Sequence, residues 1–260
     1  MPRPTAWNDE YTLLCERCGY VIEGLDQAGN CPECGKPIAE SLPGRRVGTP
    51  WQQRPGVKSL VQTWWITLRH PLRTLDVMRF DEPRHMSLLL ATLSSFTGVC
   101  WLITAVQIGV PRTANNGILD ALLMAAVLAI IAAAFPVGLF LLTGIEAEGL
   151  QLFSRAKRTR ITPAIAWSVV AHGAVGWGAC FLIWLAALQI TRFDTLLHPP
   201  ADDFERRQQI IRHLDQIQIP GFVVGLLAGV LIFETFAYLG LRRCKYANRV
   251  QPANPNEPRP

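Results

Sequence analysis

The chain predicts an all-α transmembrane bundle of four spans preceded by a small cysteine-rich β module. Two observations carry that reading. Four long apolar runs follow Met86, at about 86–110, 117–145, 162–190 and 220–241, and none contains Arg or Lys. Each reaches or approaches the roughly 20 residues that a helix needs to cross a bilayer core. The second observation is a pair of C-x-x-C motifs within the first 40 residues. A soluble helical core would show a polar stripe at helical period, whereas "GILDALLMAAVLAIIAAAFPVGLFLLTGI" is apolar on every face apart from Asp120. The mean hydropathy of +0.20 averages this bundle with polar flanks.

From the amino terminus, Cys15 and Cys18 form one pair, Cys31 and Cys34 the other, and twelve residues separate them. Two residues between cysteines let one tight turn present both thiolates to a single ion, and four sulfurs fill the tetrahedral shell of Zn2+. Gly19 and Gly35 follow the pairs, where a knuckle requires backbone angles that favour glycine. The expected cofactor is therefore a structural zinc ion. A closed shell of four cysteines leaves no position for catalysis. The intervening "YVIEGL" and "AGN" predict a strand and a turn. This module, residues 1–40, resembles the short zinc ribbons of bacterial proteins, whose second knuckle reads C-P-x-C-G, here "CPECG". The resemblance covers Leu14 to about Ile38.

Charge narrows the partners of this module. Arg3, Arg17 and Lys36 stand against Asp9, Glu10, Glu16, Glu23, Asp26, Glu33 and Glu40, which disfavours nucleic acid, since phosphate binding scales with clustered Lys and Arg. A cytoplasmic protein partner, or the chain's own membrane-proximal face, fits better. The remaining cysteines, Cys100, Cys180 and Cys244, carry no assigned role.

Residues 41–56, "SLPGRRVGTPWQQRPG", have the Pro and Gly content of a flexible linker. Residues 57–85 predict interfacial amphipathic helices: Leu60, Val61, Trp64, Trp65, Leu68, Leu72 and Leu75 recur at spacings of three and four, opposed by Lys58, Arg69 and Arg73. Pro71 splits the segment and opens its second helix. The stretch "WITLRHP", ahead of a bundle of short-looped spans, resembles the Yip family of multi-pass membrane proteins, whose eukaryotic members bind Rab GTPases. That family commonly has five spans and this chain shows four, so its trafficking role is not carried over.

Basic residues set the expected orientation of the bundle, 86–241. Arg69, Arg73, Arg79 and Arg84 precede the first span, Arg155, Lys157, Arg158 and Arg160 fill the second loop, and Arg242, Arg243, Lys245 and Arg249 open the tail, 242–260. The first loop has only Arg112, although the third carries Arg192, Arg206, Arg207 and Arg212. The positive-inside rule then places both termini in the cytoplasm, as expected of a bacterial inner-membrane protein. The first fourteen residues lack the apolar run of a signal peptide. The tail predicts a basic anchor that ends disordered.

Three ionisable residues fall within spans, Asp120, His172 and Glu234. His172 and Glu234 lie at a similar depth, about 12–13 Å from the cytoplasmic end at 1.5 Å per residue. That depth allows a His172–Glu234 contact between the third and fourth spans. Gly221, Gly225 and Gly229 form a small-residue stripe for close helix packing, within the chain or between copies. The third loop predicts an amphipathic helix over about 201–216, with Asp202, Asp203 and Glu205 at its start and Arg212 and His213 at its end. No H-E-x-x-H, G-x-S-x-G or P-loop sequence occurs. Two functions remain: a non-enzymatic scaffold or regulator whose zinc module contacts protein, and a small transporter using His172 and Glu234.

Overall fold

A computed structural model describes residues 11–80, 84–108 and 117–249, and the side chains of most but not all of them. Asp120 lies in a helix, but its side chain is outside what is described. Nine α-helices occur among the described residues: α1 Pro50–Gln53, α2 Val57–Arg69, α3 Pro71–Val77, α4 Arg84–Ile108, α5 Gly117–Ala156, α6 Pro163–Gly173, α7 Gly178–Leu197, α8 Asp203–His213 and α9 Ile219–Arg243. Four stretches are long and apolar enough to cross a membrane: Arg84–Ile103, Ala133–Ala156, Pro163–Leu197 and Phe204–Arg243. Such helices satisfy every backbone polar group internally, which the hydrocarbon core demands. The chain is an integral membrane protein.

The third stretch is continuous because a single 3-10 turn, Ala174–Trp177, joins α6 to α7. Its most apolar window is 67% buried, against 22–28% in the other three, so the protein's own side chains cover it far more than they cover the others. The fourth stretch differs from expectation. The loop helix does not stand apart from the span: α8 passes through a π turn, Leu214–Gln218, directly into α9. Asp202 caps α8 by accepting a hydrogen bond from the Glu205 amide at 2.7 Å, as the acidic start of that segment predicts.

The fold divides into two compact units, Met1–Leu88 with Gly144–His172 and Phe236–Pro260, and Leu89–Thr143 with Gly173–Thr235. In the second unit, Trp177 stacks on Phe233 at 4.9 Å between ring centres and donates its indole N–H to Thr143. Phe181 packs edge-on against Phe135 and stacks with Phe96. The small-residue stripe packs within the chain. A methyl added at Gly225 would stand 2.9 Å from the Cys180 carbonyl, and one at Gly176 2.8 Å from the Phe233 amide. Main chain cannot yield as a flexible side chain can. Gly225→Ala is therefore expected to destabilise the bundle by about 1–3 kcal/mol, the usual cost of overpacking a tight interior. Thermal unfolding in detergent measures it, and an unchanged midpoint would refute the close approach.

In the first unit, α2 and α3 meet at His70, whose backbone (φ −137°, ψ 63°) leaves the helical region that a following proline disfavours, and Pro71 opens α3. Leu60, Thr63, Thr67 and Leu75 turn inward, whereas Val57, Val61, Trp65, Leu68 and Leu72 remain exposed along one stripe. The predicted apolar face is thus divided between protein and surroundings.

Residues 41–56 are more ordered than their composition suggests. They contain a 3-10 turn at Pro43–Arg45 and helix α1, which Thr49 and Gln52 open with a reciprocal capping box. Arg46, Thr49 and Gln52 are buried. The Gly48 amide bonds to the Val77 carbonyl at 2.7 Å, and Gln52 bonds both the amide and the carbonyl of Arg79. Proline and glycine here shape a fixed path. The first residues of the tail are fixed as well, with Cys244, Ala247 and Asn248 buried, while 250–260 lie outside the described residues.

Candidate metal centre

The N-terminal module is built from one hydrogen-bond pattern used twice, sixteen residues apart. The Cys15 amide donates to the Tyr20 carbonyl, Gly19 to Cys15, and Ile22 to Leu13; Cys31 donates to Lys36, Gly35 to Cys31, and Ile38 to Gly29. Gly19 and Gly35 adopt φ of +79° and +69°, in the region where a side chain is strained, so glycine is required at both. Single β-bridges, Leu14 with Val21 and Asn30 with Pro37, close the base of each turn. These bridges are the only β structure among the described residues, smaller than the expected ribbon. The reason lies between the knuckles. Turns closed by Leu25 to Ile22 and by Gly29 to Asp26, together with φ of +77° at Gly24, use up the residues that a strand would need.

Cys15, Ile22, Cys31 and Ile38 pack into one small cluster, which brings the two turns face to face. The Sγ atoms of Cys15, Cys18, Cys31 and Cys34 all lie within 4.8 Å of one another. Cys15 to Cys34 is 3.5 Å and Cys18 to Cys31 is 3.6 Å. A tetrahedron with metal–sulfur distances of about 2.3 Å has edges of about 3.8 Å, so the donor set fits one ion. All seven cysteines are free thiols. Burial raises the Cys15 thiol, but amides of Cys18 and Arg17 and the neighbouring thiols outweigh it and bring it down to about 7. Burial and the neighbouring sulfurs push Cys18 up to about 12. Crowded sulfurs cannot all ionise without a cation among them; a bound metal would supply that charge and cross-link the two turns.

Three side chains hold the module within the first unit, and nothing in the sequence pattern singled them out. Asn248, 2% exposed, accepts from the Leu14 amide at 3.0 Å and donates to the carbonyls of Leu14 at 2.7 Å and Ser41 at 2.6 Å. Arg160 donates to Asn248 Oδ1 at 2.8 Å and to the carbonyls of Thr12 and Ala247. Arg46 pairs with Glu16 at 2.9 Å, donates to the Leu75 and Met78 carbonyls at the end of α3, and lies over the Phe80 ring. Tyr246 fills the space above Gly19, where a methyl would stand 2.8 Å from its ring. Most of these partners are main-chain groups far apart in sequence, which no local spacing announces.

His172 is satisfied by other partners than the sequence suggested. The Ser168 carbonyl, 2.8 Å from Nδ1, can only accept, so Nδ1 carries the proton and Nε2 accepts from the Thr49 hydroxyl at 3.2 Å. Both ring nitrogens are occupied inside the first unit, and Glu234 is exposed on α9. A partner from the 41–56 segment thus reaches the histidine, whose ring keeps no nitrogen free for the expected carboxylate contact.

Comparison with known proteins finds no matching family model, curated protein or solved structure, and the resemblance to the Yip family gains no support from it.

Proposed function

We propose that this protein is a non-enzymatic scaffold or regulator, in which a structural Zn2+ on Cys15, Cys18, Cys31 and Cys34 organises a cytoplasmic surface held at the membrane. The observation that carries the reading is the attachment of the metal module by Asn248 and Arg160, which fixes its orientation instead of leaving it on a tether. A rigid small module suits recognition, since its surface is ordered before a partner arrives. Exposed Tyr20 and Leu25, flanked by the acidic Glu23 and Asp26, offer that surface to a protein and not to nucleic acid.

Sidedness follows the same reading. The first unit contains the metal module, the start of α4, the end of α5, α6 as far as His172 and the end of α9. These are the ends whose flanking basic residues place them in the cytoplasm, with both termini, across a bacterial inner membrane. The exposed stripe of α2, with Trp65, lies in the headgroup layer. Self-association of copies through exposed apolar faces of the spans completes the proposal.

The test is crosslinking of the full-length protein in its membrane, as the natural chain and as Tyr20→Ser/Leu25→Ser. These changes leave the four cysteines and the Asn248 contacts in place. Loss of a specific crosslinked neighbour in the variant is the expected result. An identical set of neighbours would refute recruitment through this surface.

A further inference from the structure

Beside the metal module lies a cavity of about 380 Å³, within the size range of small-ligand sites and walled entirely by residues of the first unit. Seven basic side chains and three carboxylates line it. The carboxylates are already committed. Glu16 is bound by Arg46 at 2.9 Å with Lys36 at 3.9 Å, Asp76 is bound by Arg243 at 2.6 Å, and Glu40 lies 3.9 Å from Arg45. Among the described residues, three cations are left without a carboxylate partner. Arg17 reaches the Cys34 carbonyl at 3.5 Å, Arg242 the Tyr238 hydroxyl at 3.4 Å, and Lys245 the face of the Tyr246 ring at 5.2 Å. They come from opposite ends of the chain, the first metal turn and the residues that follow α9.

Cations gathered in one concavity repel one another unless an anion shares it. The paired Arg–carboxylate contacts at its wall hold the shape, which leaves Arg17, Arg242 and Lys245 to meet a ligand. Even with a formal charge of −2 on a metal held by four thiolates nearby, the lining stays positive. We propose that this cavity binds a phosphate-bearing anion and that its ligand is the headgroup of an anionic membrane lipid. Arginine forks and a lysine point charge are the groups that recognise phosphate oxygens. The source is set by position: Arg242 is in the last turn of membrane helix α9 and Lys245 follows two residues after that helix, where a chain leaves the bilayer among headgroups. The site is independent of whether the metal module recruits a protein.

The experiment is native mass spectrometry of the full-length protein in detergent with added phosphatidylglycerol, phosphatidylcholine or inorganic phosphate. The natural chain is expected to retain phosphatidylglycerol in preference to phosphatidylcholine. Arg17→Gln/Arg242→Gln/Lys245→Gln is expected to weaken that retention about 100-fold, at roughly a factor of five for each basic side chain near the headgroups. Arg54→Gln/Lys58→Gln/Arg155→Gln removes the same charge from exposed positions outside the cavity and is expected to bind as the natural chain does. Retained metal in each variant shows that the fold is intact, and Arg242→Gln alone, expected to weaken retention about fivefold, serves if the triple change disturbs it. Binding of inorganic phosphate but not phosphatidylglycerol, lost in the cavity variant, would keep the anion site and overturn its lipid source. Equal losses in both triple variants, or no binding of either probe, would overturn the site.

Discussion

Cys31→Ser in the full-length protein is expected to abolish metal binding and open the N-terminal module to proteolysis, while the membrane helices keep their helical content. The apolar cluster of the module amounts to Cys15, Ile22, Cys31 and Ile38 with a few half-buried neighbours, and two of its four central members belong to the sulfur cluster. So small a core cannot offset the entropy of ordering some 25 residues at about 1–2 kcal/mol each. A bound ion would supply the difference, since structural zinc sites contribute about 10 kcal/mol or more at neutral pH. Metal analysis is expected to fall from one ion per chain to none, since all four sulfurs belong to one site. Chelation of the natural protein should reproduce the proteolysis pattern, with cleavage between residues 11 and 42. A Cys31→Ser protein that resisted protease as well as the natural chain would show that the metal is incidental to the module.

Asn248→Asp is the second large effect, and it separates attachment of the module from its folding. The substitution keeps the shape of the side chain but replaces two N–H donors with an acceptor. The buried carbonyls of Leu14 and Ser41, 2.7 and 2.6 Å away, would then face a carboxylate oxygen. Arg160, 2.8 Å from Oδ1, offsets part of that charge. Two buried hydrogen bonds lost to repulsion leave a net cost of about 3–5 kcal/mol. Thermal unfolding should fall accordingly, and hydrogen exchange at Leu14 and neighbouring amides should accelerate. Metal stoichiometry is expected to match that of the natural chain, because none of the four cysteines is touched. A melting temperature equal to that of the natural chain would refute the proposed attachment.

These two substitutions also mark the boundary between what could be read from the residues and what could not. The cluster of four cysteines was legible because each C-x-x-C-G is a local device: one turn, one glycine at positive φ, two sulfurs. The pairing of the turns follows from their equal apolar residues, Ile22 and Ile38, at equal offsets. The spans were legible for a different reason. A bilayer imposes length and apolarity on any helix that crosses it, so Arg84–Ile103 and Pro163–Leu197 announce themselves by composition alone. Pro71 and the acidic start of α8 were equally readable, because proline geometry and capping act over three or four residues.

Tertiary structure decided the rest. Residues 41–56 look like a linker because Pro and Gly are common to linkers and to tight fixed paths alike; only the contacts of Gly48, Gln52 and Arg46 with residues some thirty positions later distinguish them. His172 was recognisable as a buried polar group in need of a partner, but depth along a span cannot choose between Glu234 and Thr49. Arg160 and Asn248 read as a topology signal and a tail residue, since their partners are backbone groups up to 234 positions away. A backbone carbonyl is the same in every residue and leaves no trace in composition. Local chemistry and the bilayer are therefore written in the order of the amino acids, whereas the contacts that orient the metal module exist only once distant main chain has been brought within hydrogen-bond reach.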